Sequence, residues 1–304
     1  MKNRRYINRL IFRAVATAAI FLPAFLSCTD RIDIELRTGE EHLVIYGYIT
    51  NRQGPQEISV TRSSPFFSTG LPEGVHGALI TVYSSEGDTY TFTETPEANG
   101  TYVSDIEFAG VPGMEYRLEA EVDFDGDYGH FTASDVMPLP VRGDRLKLSW
   151  SRFFKNTVDM VVWGELPEGQ KTNIVLKAKV GDRMVNDSLS SFFMRNEKYI
   201  NSKILDSLTI FMLDQEAECN KIEAGDEVSL TALLVSKDYY DFLLHARKEV
   251  RQAPPLFDGP AANVPSNIRQ SGGSKVPLVG YFTAYSETTV STLATEEFMN
   301  TPHK

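Results

Sequence analysis

The stretch Ala78-Leu79-Ile80-Thr81-Val82-Tyr83-Ser84, followed by Glu86-Gly87-Asp88 and then Thr89-Tyr90-Thr91-Phe92-Thr93-Glu94, decides the fold. Two runs rich in β-branched and aromatic residues flank a glycine turn, and the second alternates with period two, which is the pattern of paired strands. The same grammar continues on both sides. Asn99-Gly100 marks a turn before Thr101-Tyr102-Val103, Val111-Pro112-Gly113 another before Tyr116 to Val122, and Asp125-Gly126 a fourth before Tyr128 to Ser134. Upstream, Leu43-Val44-Ile45-Tyr46-Gly47-Tyr48-Ile49 and the alternating run Glu57 to Arg62 read as two further strands. Strands spaced by about 8–12 residues with turn signals between them predict a β-sandwich. It is expected over residues 38–140 and ends at the stiff connector Pro138-Leu139-Pro140.

The second half, 141–293, is expected to be a further β-rich domain carrying one α-helix. Thr157 to Glu165 and Thr172 to Val180 alternate around Pro167-Glu168-Gly169, and Ser207 to Leu213, Glu227 to Val235 and Leu278 to Ser286 are the remaining strands. The helix is predicted near 237–252. Ser236 is placed to cap it, Asp238 lies in its first turn, and Arg247, Lys248 and Arg251 lie in its last. Tyr239, Leu243, Ala246 and Val250 share one face, and Pro254-Pro255 ends it. A long loop is expected to Pro277, and residues 294–304 are expected as a flexible tail.

Composition narrows the function. The chain has 304 residues, 42% apolar and 23% charged, which suits about two globular domains and excludes a disordered or collagen-like polymer. A formal charge of −11 argues against a nucleic-acid partner. Two cysteines build neither a disulfide framework nor a four-cysteine zinc site. Cys219 stands among Glu216, Glu218 and Asn220, surroundings that do not activate a thiolate, and is read as an unreactive thiol in or beside a strand.

The first residues read as an export signal. Lys2, Arg4, Arg5, Arg9 and Arg13 precede the apolar run Ala14 to Leu26, which is short for a membrane-spanning helix and right for the core of a signal peptide. It closes on Phe25-Leu26-Ser27-Cys28, which resembles a bacterial lipobox with Phe25 where Leu is usual. That resemblance implies a signal peptide over 1–27, lipidation of Cys28 and an acidic tether over 28–37. Cleavage there removes five cations and no anion, so the mature body is more acidic still. Asp30, Asp33 and Glu35 resemble the acidic signal that sends Bacteroidota lipoproteins to the outer face of the outer membrane.

The search for chemistry is mostly negative. The sequence has no G-x-S-x-G, no P-loop, no dinucleotide fingerprint and no H-E-x-x-H. The five histidines, His42, His76, His130, His245 and His303, form no local ligand pair. Asp123, Asp125 and Asp127 are calcium candidates, since alternating aspartates beside a glycine supply hard oxygen ligands. The competing and preferred reading is a hairpin turn with positive φ at Asp125-Gly126. Phe66, Phe67 and Leu71 in one long loop, and Leu256 and Phe257 in another, are candidate contacts for a partner or plugs for the end of a sandwich.

Several pieces, in order, carry a family resemblance. They are Leu43 to Thr50, Gly54-Pro55-Gln56-Glu57, Val75-His76-Gly77-Ala78-Leu79-Ile80-Thr81-Val82, Asn99-Gly100-Thr101-Tyr102, Gly113-Met114-Glu115-Tyr116-Arg117-Leu118, Pro265-Ser266-Asn267-Ile268, Gly272-Gly273, and Val279-Gly280-Tyr281-Phe282-Thr283-Ala284. Together they resemble the Bacteroidota outer-membrane lipoproteins that carry an uncharacterised domain and are commonly encoded beside TonB-dependent receptors. The resemblance implies an immunoglobulin-like or transthyretin-like N-terminal sandwich and carries over no catalytic residue and no cofactor. The segment Gly77 to Tyr102 also resembles modules of the carboxypeptidase-regulatory type, in which Gly100 would supply a positive φ and Tyr102 would turn its ring inward.

The expected function is therefore that of a lipid-anchored outer-membrane protein, surface-exposed, serving a TonB-dependent transport system as a non-enzymatic binding or accessory subunit. Its ligand, a small molecule or a polymer, is not specified by these residues. A surface hydrolase of peptide or glycan and a structural adhesin are the alternatives.

Overall fold

The alternation in Leu43–Thr50 (β1) sends Leu43, Ile45 and Ile49 to one face, fully buried, and Tyr46 and Tyr48 to the other. From β1 a large sheet is built by antiparallel pairing through Glu57–Arg62 (β2), Thr101–Ser104 (β5), Thr89–Glu94 (β4), Leu79–Ser84 (β3), Glu115–Phe124 (β6) and Asp127–Val136 (β7). A short strand, Arg269–Ser271 (β15), adds to β7. The computed structural model describes residues 41–64, 70–97, 99–196, 203–250, 264–273 and 275–301.

The last strand joins the two halves of the chain. Leu278–Leu293 (β16) pairs in parallel with β1 through Leu43↔Leu278 to Thr50↔Tyr285. Its second half then pairs antiparallel with Glu227–Leu234 (β14), from Leu234↔Ser286 to Glu227↔Leu293. Beyond β14 lie Asn173–Val180 (β10) and its short partners Arg183–Met184 (β11) and Phe193–Asn196 (β12). A separate three-stranded sheet is formed by Arg142–Trp150 (β8), Thr157–Glu165 (β9) and Ile204–Asp214 (β13).

Two apolar cores result, which makes the fold mainly β and sandwich-like. The large sheet curls so that β7 returns against β16, enclosing Tyr102, Tyr116, Leu118, Phe131 and Phe282 with Ile45 and Ile58. Each such side chain stabilises the fold by roughly 1.5–3 kcal/mol. The second core, with Leu148, Val158, Met160, Ala178, Val228 and Leu230, fills the space between the three-stranded sheet and the β10-β14-β16 end of the large one. The helix Lys237–Val250 (α1) covers the outer face of the large sheet with Tyr239, Tyr240 and Leu243 buried. Its Tyr239 N–H donates to Ser236 Oγ at 3.2 Å, as the capping pattern predicts.

Residues 38–140 are not a self-contained unit. Glu40–Lys304 cluster as one compact body. The first core needs Ile268, Val276 and Phe282 from the end of the chain, because β1 has its second neighbour there. The free tail expected after Leu293 also gives way to structure. Glu296–Met299 (α2) is capped by Thr295, and Phe298 stacks on Trp150, whose Nε1 donates to the Phe298 carbonyl at 3.2 Å. Val250, on the face of α1 that it shares with Tyr239 and Leu243, is 66% exposed where those two are buried. The long loop to Pro277 contains β15, and the charged run Arg142 to Lys147 is strand where the sequence reading marked none.

Two polar side chains, Gln56 buried and Asp135 partly buried, close gaps that strand pairing leaves. Gln56 is 2% exposed; its Oε1 accepts from Thr50 N–H at 2.9 Å and its Nε2 donates to the Phe108 carbonyl at 2.9 Å. Asp135 on β7 ties three elements together. Its Oδ2 accepts from Thr283 Oγ1 at 2.8 Å, Ala284 N–H at 3.1 Å and Ser236 Oγ at 3.1 Å, while Oδ1 accepts from Val136 N–H. Burial pushes its carboxyl above the ordinary carboxylate range against the pull of these four bonds. Asp135→Ala removes the acceptor of the Ala284 and Val136 N–H groups and of the Thr283 and Ser236 hydroxyls. It is expected to lose about 3 kcal/mol in urea denaturation. Gly280 has φ +116°, and a Cβ there would fall on the Ile45 carbonyl oxygen. Gly280→Ala is expected to lose at least about 2 kcal/mol by the same measurement.

Candidate functional site

The first cavity lies between the two sheets of the second sandwich. At one end the sheets touch, because Gly143 on β8 brings the backbone onto β16; a Cβ there would stand 2.7 Å from Val290 Cγ1. Toward β13 they part and leave a cleft of about 520 Å³ walled by Val162, Ile174, Leu176, Leu205, Leu230 and Val290. That volume and lining suit a small molecule with an apolar body. β13 forms the open side. Register shifts between Leu205 and Leu208 and between Thr209 and Phe211, with φ +51° at Ser207, interrupt its ladder, and Leu208 is 45% exposed.

Two charged side chains stand in the lining of this cleft. Asp206 accepts from Trp163 Nε1 at 2.9 Å. The Arg195 guanidinium lies 4.0 Å from the centre of the Phe193 ring and donates to the Met194 carbonyl at 3.0 Å. Among the described residues Arg195 has no carboxylate partner within 4.0 Å. An apolar wall with a few oriented polar groups binds and orients a ligand.

The second cavity, about 350 Å³, lies under α1. Tyr46, Tyr48 and Tyr285 rise from β1 and β16, Tyr239 and Phe242 descend from α1, and Phe192 and Lys177 close one side. The Tyr46 and Tyr239 hydroxyls share a 2.6 Å hydrogen bond, and burial holds both phenols above the ordinary tyrosine range. Lys177 is half-buried, with its Nζ 5.4 Å from the centre of the Phe192 ring. Desolvation pulls its amine below the ordinary lysine range, opposed by the field of Glu287.

The aspartate cluster forms a hairpin turn. Asp125 and Gly126 have φ of 58° and 85°, and Phe124 pairs with Asp127 across a two-residue type I′ turn. Each carboxylate has a protein partner. Asp123 Oδ1 accepts from Gly126 N–H at 2.7 Å, Asp127 Oδ2 from Lys275 N–H at 3.3 Å, and Asp125 takes the Arg62 guanidinium with both oxygens. Among the described residues no group of three or more His, Cys, Asp or Glu is placed to hold a metal ion. The hairpin turn, the preferred of the two readings, is the geometry found at these residues. Adding about 1 mM calcium, enough to fill a typical extracellular site, is expected to leave Tm unchanged in differential scanning fluorimetry.

Of the other expected contacts, Leu71 is described and 91% exposed. Cys28, Phe66, Phe67, Leu256 and Phe257 lie outside the described residues, as do the signal peptide and the tether. Cys219 is exposed in a 3-10 turn, Glu218–Asn220, that follows β13. Gly100 has the positive φ expected of it, at 79°, and Tyr102 is 1% exposed, donating to the Val75 carbonyl at 2.8 Å.

The cavity residues were missed because most stand on a strand or on the helix face as ordinary alternating or periodic positions. One signal was present: Tyr46, Tyr48, Tyr281 and Tyr285 occupy the phase of β1 and β16 that should face water, so a covering element is implied.

Fold and cavities together define a mainly β protein with an apolar inter-sheet cleft and a tyrosine-walled pocket. The chain belongs to the family described as domain of unknown function DUF4249, whose profile matches residues 29–291. Comparison with curated proteins gives no match. Among solved structures, apo beta-glucuronidase 3 of Bacteroides uniformis aligns at 11% identity, covering 64% of this chain and 23% of that one, with a TM-score of 0.21. That likeness carries no functional argument. Among the described residues no helix is long and apolar enough to cross a membrane.

Burial of Lys177 has a consequence for stability with a definite sign. The folded state binds the Lys177 proton less tightly than the unfolded chain does. The penalty is full below the native pKa and vanishes above the unfolded value of about 10.4. Lys177→Met is therefore expected to raise Tm at pH 7, and the gain is expected to shrink as the pH is raised toward 10.

Proposed function

We propose that this chain is a lipid-anchored outer-membrane protein that serves as a non-enzymatic binding or accessory subunit of a TonB-dependent transport system, with the cleft between its sheets as the ligand site. The observation that carries the binding role is the cleft itself: about 520 Å³, walled by aliphatic side chains, with Arg195 and Asp206 in its lining. Such a site favours a ligand with an apolar body and a polar end, since aliphatic walls gain from desolvation and the charged groups fix orientation. The anchor rests on Phe25-Leu26-Ser27-Cys28 and the cationic segment before it. Two or three acyl chains on one terminus would hold the protein stably, where a single chain is marginal.

Affinity purification of the tagged lipoprotein from native outer membranes, under gentle detergent, tests the accessory role. A stoichiometric TonB-dependent receptor is the expected companion; recovery of the lipoprotein alone would overturn that role. Cys28→Ser is expected to move the protein from the detergent phase to the aqueous phase in phase partition. The cleft is tested with 1-anilinonaphthalene-8-sulfonate, which has an apolar body and one anionic group. Its fluorescence is expected to rise on binding, and Ala232→Phe, which fills the cleft from β14, is expected to reduce the rise without loss of the strand signal in circular dichroism.

A further inference from the structure

We propose that the pocket under α1 is a second ligand site, separate from the inter-sheet cleft, and that it takes a ring-shaped small molecule bearing one carboxylate, held by Lys177 and stacked between tyrosine rings. Three observations converge. The first is space. A recess of about 350 Å³, partly open to solvent, lies between helix and sheet and is lined mainly by aromatic and aliphatic side chains, room enough for a small ring.

The second is the wall. Tyr48 and Tyr285 stand with ring centres 5.6 Å apart and planes tilted by 34°, and both line the cavity. Phe242 and Tyr239 lie opposite on α1, held against Tyr281 at 4.6 and 5.3 Å. A lining this rich in aromatic rings favours a planar ring or the C–H face of a sugar. The Tyr46 and Tyr239 hydroxyls satisfy each other, whereas those of Tyr48 and Tyr285 have no hydrogen-bond partner among the described residues and are free to bond a ligand.

The third is charge. Lys177 lines the cavity and has neither an ion pair nor a hydrogen bond among the described residues. Glu287, the carboxylate whose field reaches it, is paired instead with Arg52 at 3.5 Å. A half-buried ammonium facing rings and phenols is unfavourable, and the Phe192 ring at 5.4 Å offsets it only in part. A carboxylate entering the cavity supplies the missing counter-charge in a partly desolvated setting, where the bond is worth more than in water.

Isothermal titration of the purified full chain tests this, using two acids and their neutral counterparts: 4-hydroxyphenylacetate against 4-hydroxyphenylethanol, and glucuronate against glucose. At least one acid is expected to bind, with its neutral partner weaker by about tenfold or more. Which acid binds separates an aromatic from a sugar ligand. Lys177→Met is expected to weaken the acid by about tenfold or more, and Lys177→Arg to restore most of the affinity. Ala246→Trp, which fills the pocket from the helix, is expected to abolish binding, while Ala232→Phe in the other cleft leaves it unchanged. Equal binding of acid and neutral partner, full affinity in Lys177→Met, or no binding by either acid would overturn the proposal. Each of these outcomes is independent of whether a transport receptor accompanies the protein.

Discussion

Everything in this fold hangs on the parallel ladder between β1 and the first half of β16. A parallel pair cannot close through a tight hairpin, so its partners come from opposite ends of the chain. Here they are Leu43 to Thr50 and Leu278 to Tyr285. The close approach at Gly280, where the backbone lies against the Ile45 carbonyl, fixes the register. Once β16 is seated, its inward residues Phe282 and Ala284 complete the first core, and its continuation past Ser286 becomes a central strand of the second. Asp135 reinforces the join by binding Thr283 and Ala284 on β16 and the cap residue of α1 with one carboxylate oxygen.

Much of this was legible in the sequence, and the reason is local. Glycine turns at Asp125-Gly126 and Asn99-Gly100 need positive φ, and the strands between them alternate cleanly because one face meets a core. The helix was legible through its cap at Ser236 and its acidic and basic ends. Partnership between distant strands was hidden. Nothing in Leu43 to Thr50 says that its second neighbour lies near residue 280, and a domain boundary placed at the Pro138-Leu139-Pro140 connector follows from reading neighbours in sequence as neighbours in space. The strand β8 was hidden for another reason. Arg142, Asp144, Arg145 and Lys147 face outward and mask the alternation of Leu146 and Leu148.

The cavities were the least legible part because they depend on how layers are spaced. The inter-sheet cleft opens where the irregular strand β13 drifts from its facing sheet, while Gly143 pins the other end. The tyrosine pocket exists because α1 rests on large rings, which hold it off the sheet. Both are made by residues whose types are unremarkable singly: a lysine on a strand, a tyrosine opposite another, an arginine stacked on a phenylalanine. The aspartate cluster shows the converse. A pattern that looks like chemistry in sequence is resolved by a hairpin turn and a guanidinium.

The pairing of first strand with last also sets an order of events. When the ribosome has delivered everything up to α1, β1 still has one edge bare and the first core lacks Phe282 and Ala284. Contacts between such distant segments are slow to form, because the loop between them must be closed before any gain is realised. Until β16 arrives, the bare edge of β1 is a template on which another chain can pair. The first core is complete only when the final strand is in place, so truncation before Leu278 removes more than a tail.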